Sequence, residues 1–310
     1  MNAMQKTTVI IDQDGGQDDF LSTALLLTMP NVRTLGVVVT PGDCFIDPAV
    51  RVTRRLLDLI DISGVPVAES TVRGLNPFPR EWRKTAFAVE NFPVLAGAGE
   101  IRTPLEPEPG QRFVARALAE SREPVTLLVT GPLTTVAEAL KIDPGIEPQI
   151  EQIVWMGGAL NVPGNVNPAM EPGHDGTAEW NVYWDPPAAH AIWQTEIPIV
   201  LCPLDITNHV PVTAELVRKL GGQRQFPLSD LAAHCYALVL YGEYYFWDVL
   251  TTAYLGRPDL FTLRDWETEI VAAGPSAGRT KVVPGGRRIR ALDTVDVEGF
   301  YDYILAAWQR

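Results

Sequence analysis

The stretch at residues 9–20, VIIDQDGGQDDF, organises the rest of the chain. Its three β-branched apolar residues predict a buried parallel strand, and the Gly-Gly pair permits a sharp turn. The residues that follow, 20–27, predict a helix. The aspartates of the stretch therefore lie where a strand leads into a helix, which in an open α/β sheet is the carboxyl edge at which ligands bind.

Four aspartates within eight residues repel one another unless a cation or the helix N-terminus compensates their charge. Hard divalent cations such as Ca²⁺ and Mg²⁺ prefer oxygen ligands, so a metal site is the functional interpretation of the stretch. The structural alternative is that Asp18 and Asp19 cap the helix, while Asp12 and Asp14 are turn residues. The stretch by itself does not decide between the two.

The composition of the 310-residue chain limits its partners. Hydrophobic residues make up 46% of it and charged residues 20%, which suffices for a sizeable core. A net charge of −13 disfavours nucleic acid and anionic membrane surfaces, and favours an uncharged small substrate over a phosphorylated one. Three scattered cysteines fit a reduced cytoplasm, no apolar run is long enough for a membrane span, and residues 1–6 indicate no signal peptide.

Further strands are predicted to end in polar or glycine-rich sequence, at residues 32–40, 124–133, 152–158 and 197–202. Because the carboxyl ends of parallel strands meet at one edge of a sheet, their exits are expected beside Asp14. No internal repeat or linker is evident. We predict one domain over residues 1–310, with a mainly parallel central sheet flanked by helices and the active site at the carboxyl ends of its strands.

Residues 70–110 are rich in proline and are predicted to be largely irregular. The aromatic side chains of Phe78, Trp82, Phe87 and Phe92 indicate a lid over a site. The alternative is that any of them packs onto the body of the protein, because aromatic residues dominate cores.

These motifs together resemble those of the calcium-dependent nucleoside hydrolases, which cleave the N-glycosidic bond of ribonucleosides. The family signature, Asp-x-Asp-x-x-x-Asp-Asp after a hydrophobic strand, matches residues 12–19 in full. The sequences TGPLT at 130–134, MGG at 156–158 and EWN at 179–181 match as well. The resemblance spans roughly residues 7–265 and implies the same α/β fold.

Within this family the chain is most similar to the purine-specific inosine-adenosine-guanosine branch. That similarity is carried by residues 43–45, 76–83, 175–181 and 245–248. Trp247 stands where the broad-specificity branch has the His that protonates the leaving base. The loop from Asn165 to Glu179 is also several residues longer than in that branch, and Gly16 departs from the closest relatives, which tend to carry a polar residue there.

The resemblance implies a Ca²⁺ ion held by Asp14, Asp19, Asp248 and the backbone carbonyl oxygen of Thr130. The ribose hydroxyls and one water would complete six to eight oxygens, a normal calcium shell. Asp14 would also take a proton from this water, whose pKa the cation lowers. Asp12 is expected to orient the ligands from behind them.

The sugar contacts follow from the same resemblance. Asp18 and Asn181 are expected to bind the ribose diol, Asn165 and Glu179 the side of the 5′-hydroxyl, and Met156 to lie against the sugar. Water then attacks C1′, positive charge develops on the ribose, and the surrounding carboxylates stabilise it.

The purine base is expected to lie between Trp82 and Trp247, with Asp43 near its edge. A base protonated at N7 is a cation, and an aromatic face favours a desolvated cation, so two rings would replace the missing general acid. His174 lies in the long loop and is expected to face solvent.

Several alternatives remain open. The strand followed by Asp-x-Asp-Gly also fits a haloacid-dehalogenase phosphatase, but Gly16 follows Gly15 and no predicted strand exit carries a Lys. The chain could instead be a broad-specificity or pyrimidine hydrolase, or a non-catalytic calcium-dependent nucleoside binder. By resemblance we expect a role in purine salvage in the cytoplasm, as a homodimer or homotetramer, without nucleic acid or membrane partners.

Overall fold

The computed structural model of the protein describes residues 6–310. Residues 1–5, which belong to the segment where the sequence indicates no signal peptide, lie outside the described residues. Among the helices of residues 6–310, none is both long enough and apolar enough to cross a membrane. The single domain expected over residues 1–310 stays a prediction.

The opening stretch folds as predicted into a strand, a turn and a helix. Strand β1 covers Thr7–Gln13, and helix α1 covers Gln17–Thr28. Gly15 between them has a φ of 84°, and a Cβ added to it would lie 2.6 Å from the Cβ of Cys44. The turn therefore requires glycine at this position, on grounds of both backbone conformation and space.

The strands described within residues 6–310 form one sheet in the order β3-β2-β1-β4-β5-β6-β9-β7-β8. All neighbours from β3 to β9 run parallel, while β7 is antiparallel to β9 and β8 is antiparallel to β7. The predicted mainly parallel α/β sheet is thus confirmed. After β1, the strands are β2 (Val32–Val39), β3 (Val67–Glu69), β4 (Val125–Val129), β5 (Ile150–Met156), β6 (Ile199–Cys202), β7 (Phe261–Ile270), β8 (Thr280–Val282) and β9 (Arg287–Val295).

Helices cover both faces of this sheet. After α1, they are α2 (Ile46–Leu59), α3 (Thr85–Glu90), α4 (Pro93–Ala96), α5 (Gly110–Glu120), α6 (Thr134–Ile142), α7 (Trp180–Trp184), α8 (Pro186–Trp193), α9 (Leu204–Thr207), α10 (Ala214–Gly222), α11 (Pro227–Ala237), α12 (Asp248–Gly256) and α13 (Val297–Ala307). Short 3₁₀ helices cover Trp82–Lys84, Pro144–Gln149 and Pro258–Leu260.

The alternation of side chains along β1 divides the core into two layers. Val9 and Ile11 pack into the core on one face, with helices α1, α2 and α11 to α13. Ile10 points to the other face and packs with residues of α5, α6 and α8. Because both faces are covered, the central strands are apolar throughout, as expected for a parallel sheet.

The expectation for residues 70–110 is partly wrong. The 3₁₀ helix at Trp82–Lys84 and helices α3 and α4 occupy much of residues 82–96. Proline did not prevent them, since Pro93 lies in the first turn of α4, where its missing N–H costs nothing.

A candidate active site at the carboxyl edge of the sheet

The ends of β1, β2, β4 and β5 surround a cavity of about 510 Å³. Its lining combines acidic side chains with aromatic ones, and its residues come from segments up to 234 positions apart in the chain, from Asp14 to Asp248. The structure brings together there all the predicted site residues except Asp18: Asp14, Asp19, Asp43, Trp82, Thr130, Met156, Asn165, Glu179, Asn181, Trp247 and Asp248.

Asp19 connects the start of α1 to the end of β4. Its carboxylate accepts hydrogen bonds from the backbone N–H of Asp14 at 3.0 Å and of Gly16 at 2.9 Å, and from the hydroxyl of Thr130 at 2.6 Å. Asp19 therefore caps the helix, as the structural alternative proposed, and also forms part of the cavity wall. The two interpretations of this residue are compatible.

Asp14 and Asp248 share the acidic end of the cavity. Asp14 accepts a hydrogen bond from the backbone N–H of Asp43 at 3.1 Å. Burial, followed by the charges of Asp19 and Asp43, raises the pKa of Asp14 well above its ordinary value. Burial and the charges of Asp19, Asp18 and Asp14 raise the pKa of Asp248 in the same way. The carboxylates thus concentrate negative charge in a buried space, which a cation would relieve.

The donor chemistry of this end of the cavity fits a hard divalent cation. The predicted ligands Asp14, Asp19, Asp248 and Thr130 supply only oxygen atoms, which Ca²⁺ and Mg²⁺ prefer. Among residues 6–310, however, no three His, Cys, Asp or Glu side chains are arranged as a preformed metal site. The carboxylate oxygens of Asp19 already accept hydrogen bonds from two backbone N–H groups and a hydroxyl. Asp19 would exchange some of these bonds for the ion.

Asp18 lies behind the cavity wall instead of lining it. Its carboxylate accepts hydrogen bonds from the hydroxyl of Tyr236 and the backbone N–H of Asp248, both at 2.6 Å. These bonds hold α1 against α11 and the start of α12. Burial raises the pKa of Asp18 to about 6, although its hydrogen bonds act in the opposite direction. Its contact with the ribose diol stays a prediction.

Asp12 also lies behind the wall, at the end of β1. Its Oδ1 accepts a hydrogen bond from the hydroxyl of Thr40 at 2.6 Å, and its Oδ2 is buried without a hydrogen-bond partner. Burial raises the pKa of Asp12 to about 8. This position agrees with the expected role of Asp12 in orienting the metal ligands. Asp12 makes no contact in the cavity itself that demonstrates this role.

The sequence EWN at residues 179–181 forms the opposite wall. Glu179 caps α7 and accepts hydrogen bonds from the backbone N–H of Asn181 at 2.9 Å and of Gly158 at 3.0 Å. Burial raises the pKa of Glu179 to about 7. The side-chain amide of Asn181 donates to the carbonyl oxygens of Thr130 at 2.9 Å and Met156 at 3.1 Å. The exits of β4 and β5 are thereby fixed relative to α7.

Aromatic rings line the mouth of the cavity. Trp82 is 39% exposed, and its ring lies 5.4 Å from that of Trp180. Phe78 stacks on Trp180 at 5.3 Å. Trp247 packs against Tyr244 at 4.4 Å, and its indole Nε1 is buried without a hydrogen-bond partner. Aromatic rings and carboxylates thus line the same cavity. Phe87, which was also predicted to belong to the lid, packs on Phe45.

Asp43 and Asn165 occupy the rim of the cavity. Asp43 is half-buried, and its Oδ1 has no hydrogen-bond partner. Burial and the charge of Asp19 raise the pKa of Asp43 well above its ordinary value. Asn165 is exposed, and its side-chain oxygen accepts from the backbone N–H of Trp180 at 3.1 Å. Both side chains are therefore near enough to solvent to meet an incoming molecule.

The sequence interpretation missed one part of the lining and misplaced one residue. Residues 238–244 contribute to the cavity mouth, and only their aromatic character gave a signal. His174 does not face solvent as expected, since it is 7% exposed. Asp205 lies outside the lining, and its carboxylate accepts hydrogen bonds from the backbone N–H groups of Leu160 and Asn161.

A buried acidic pocket at the carboxyl edge of a parallel sheet defines an α/β protein that binds a small polar molecule at its strand ends. The profile of the family described as inosine-uridine preferring nucleoside hydrolase matches residues 9–302. The chain therefore belongs to this nucleoside hydrolase family. The resemblance found in the sequence is confirmed at this level, and the phosphatase alternative is excluded.

Individual relatives agree with the family assignment. The chain is 30% identical to the pyrimidine-specific ribonucleoside hydrolase RihA of Salmonella schwarzengrund (strain CVM19633), over 96% of each protein. The crystal structure of an inosine-uridine preferring nucleoside hydrolase from Bacillus anthracis has 40% identity and a TM-score of 0.94, over 98% of this chain and 99% of that one. The purine-preferring ribonucleoside hydrolase from Gardnerella vaginalis, at 24% identity and a TM-score of 0.79 over 98% of each chain, shares the fold.

Proposed function

We propose that the protein hydrolyses the N-glycosidic bond of purine ribonucleosides, with Ca²⁺ as its cofactor. The observation that carries this proposal is that buried carboxylates and the rings of Trp82 and Trp247 line one cavity. The carboxylates suit a cation and a ribose that becomes positively charged, and the aromatic rings suit a flat base.

The reaction breaks the bond between C1′ and the base nitrogen and joins C1′ to a water oxygen. Asp14 accepts the proton of this water, and the neighbouring carboxylates stabilise the positive charge that develops on the ribose. Solvent protonates the base at N7 before the bond breaks, so the base is a cation at this stage and then leaves as a neutral molecule with the bonding electron pair. Bound Ca²⁺, held by Asp14, Asp19, Asp248 and the Thr130 carbonyl, would offset the carboxylate charge and lower the pKa of the water.

The leaving base has no His to act as its general acid, since none of the cavity-lining residues within 6–310 is a His. A ring face can favour a desolvated cation by about 2 kcal/mol, or about 1.5 decades in rate. Trp82 and Trp247 together would supply about 10³, which is within the range of a general acid.

A second candidate is hydrolysis of pyrimidine ribonucleosides. It is favoured by the Salmonella relative, which is named as pyrimidine-specific, and by the Bacillus anthracis relative, whose name covers both inosine and uridine.

The first experiment incubates purified protein with Ca²⁺ and inosine, uridine or cytidine, and measures free ribose. Binding of inosine without ribose release would instead support a non-catalytic binder. Homo-oligomerisation, a cytoplasmic location and a role in purine salvage stay predictions from the sequence.

Replacement of either tryptophan by Ala is expected to lower kcat for inosine about 30-fold, because one of the two ring faces is lost. The wild type is expected to prefer inosine strongly over uridine, which has no N7 to protonate. Steady-state kinetics on both nucleosides measure this, with Trp266→Ala as the control, since Trp266 is partly buried in β7 away from the cavity. Equal kcat/KM values for uridine and inosine in the wild type, or an unchanged kcat in Trp247→Ala, would refute the stacking mechanism.

Ca²⁺ is expected to raise the Tm of the metal-free protein. At a concentration 100 times its Kd, a ligand that binds only the folded state adds about 2.7 kcal/mol of stability, and here it also relieves the repulsion among the carboxylates. Differential scanning calorimetry after EDTA treatment measures the shift. Asp248→Asn should show a smaller shift, and the exposed Asp143→Asn an unchanged one. No shift at millimolar Ca²⁺ would contradict a calcium site.

A further inference from the structure

His174 connects two segments that the sequence separates by about a hundred residues. The first is the loop of residues 161–178, which carries Asn165, and the second is the turn of residues 271–279 between β7 and β8. The Nε2 atom of His174 lies 3.0 Å from the carbonyl oxygen of Ala277, and its Nδ1 lies 3.0 Å from the backbone nitrogen of Gly176. Contacts between residues so far apart in sequence arise from tertiary packing and not from local backbone structure.

These two contacts determine the hydrogen-bond role of each ring nitrogen. A backbone N–H can only donate, so Nδ1 accepts from Gly176. A carbonyl oxygen can only accept, so Nε2 donates to Ala277. Both ring nitrogens of His174 therefore have a backbone partner.

The ring also contacts the wall of the cavity through Tyr183. The His174 and Tyr183 rings meet edge to face at 4.7 Å, and Tyr183 meets Trp180 in the same way at 5.5 Å. Trp180 donates from its indole N–H to the carbonyl oxygen of Asn165 at 3.2 Å. A continuous series of contacts thus leads from His174 to Asn165, and through Trp180 to the ring of Trp82.

The turn of residues 271–279 packs closely on α7 beside this ring. Gly278 has a φ of 85°, and a Cβ added to it would lie 2.8 Å from the Cα of Tyr183. The backbone N–H of Asp175 donates to the carbonyl oxygen of Pro275 at 2.9 Å, and the hydroxyl of Ser276 donates to the Asp175 carboxylate. The loop and the turn are therefore fixed to each other by three neighbouring contacts.

We infer that His174 is a positioning residue, which holds the 161–178 loop so that Asn165 and Glu179 meet the 5′-hydroxyl side of the ribose. The inference rests on the proposed nucleoside hydrolase function. His174 itself does not line the cavity, so it acts on substrate affinity through Asn165 and Trp180 and takes no part in the bond cleavage.

The kinetic test compares His174→Ala, His174→Gln and His174→Asn with the exposed control His209→Gln. We expect His174→Ala to raise KM for inosine about tenfold with kcat nearly unchanged, and to leave KM for 5′-deoxyinosine unchanged. Gln can keep the donor toward Ala277, so His174→Gln should recover most of the affinity, while His174→Asn should not. An equal rise in KM for both substrates would overturn the inference.

A structural test does not depend on activity. Hydrogen–deuterium exchange is measured on peptides covering residues 161–180 and 271–279, as protection factors corrected for pH. We expect protection to fall about tenfold in His174→Ala and in Gly278→Ala, which disturbs the same contact from the other side. Unchanged protection would refute the role of His174 even in an active enzyme. If protection is lost but the protein hydrolyses no nucleoside, the positioning role of His174 is supported and the proposed function is refuted.

Discussion

2′-Deoxyinosine is expected to be hydrolysed about 10⁴–10⁵-fold less efficiently than inosine, measured as kcat/KM. The proposed site uses the ribose 2′-hydroxyl both as a ligand of the cation and as a partner of protein side chains. Removal of that hydroxyl leaves a coordination position and a buried polar group without a partner, and such sites discriminate strongly. Comparable efficiency for the two nucleosides would contradict a site in which metal and sugar hydroxyls are coupled.

Asp18 provides a sharper form of this test. The structure uses both of its carboxylate oxygens to hold α1 against Tyr236 and Asp248, whereas the sequence predicts that it binds the ribose diol. If Asp18 reaches the substrate, Asp18→Asn should greatly reduce the ratio between inosine and 2′-deoxyinosine. A lower Tm with an unchanged ratio would show that Asp18 only holds α1 against Tyr236 and Asp248 and does not bind the substrate. Thr252→Val, which removes the hydroxyl that meets Ser22 between α1 and α12, is the matched control for helix packing alone.

Asp14→Asn is expected to lower kcat for inosine by about 10⁴, the upper end of what a positioned general base contributes. The full effect is expected because the substitution removes a charged ligand of the cation together with the proton acceptor. Single-turnover measurement of ribose release determines it, with Asp143→Asn as a surface control. A residual rate within tenfold of the wild type would assign the base to another residue.

The same variant should fold without loss of stability in the absence of metal. In the folded protein the pKa of Asp14 is raised by burial and by the charges of Asp19 and Asp43. A carboxyl group with a raised folded-state pKa opposes folding at every pH above its unfolded value, because the unfolded chain ionises it more easily. Asn carries no charge, so at pH 7 the metal-free Asp14→Asn protein should have an equal or higher Tm. Loss of activity is then separable from misfolding.

The sequence by itself determined the first strand, turn and helix and the edge at which the parallel strands end, but not the short helices within residues 82–96. The strand, turn and helix of residues 7–28 follow from local apolar runs and a Gly-Gly pair, because backbone conformation and burial of successive residues are short-range properties. Once the strands are parallel, their exits must share one edge, so Asp14, Thr130 and Met156 come together without any knowledge of packing.

Only the tertiary structure decided which polar groups pair across long distances in sequence. The bond between Asp18 and Tyr236 joins residues 218 positions apart, and that between His174 and Ala277 joins residues 103 apart. Such partners leave no periodic signal, since each depends on how complete layers pack. For the same reason the sequence placed His174 in solvent, and it could not show that the oxygens of Asp19 are already hydrogen-bonded. The type of each side chain determines which interactions it can make, and tertiary packing determines its partners.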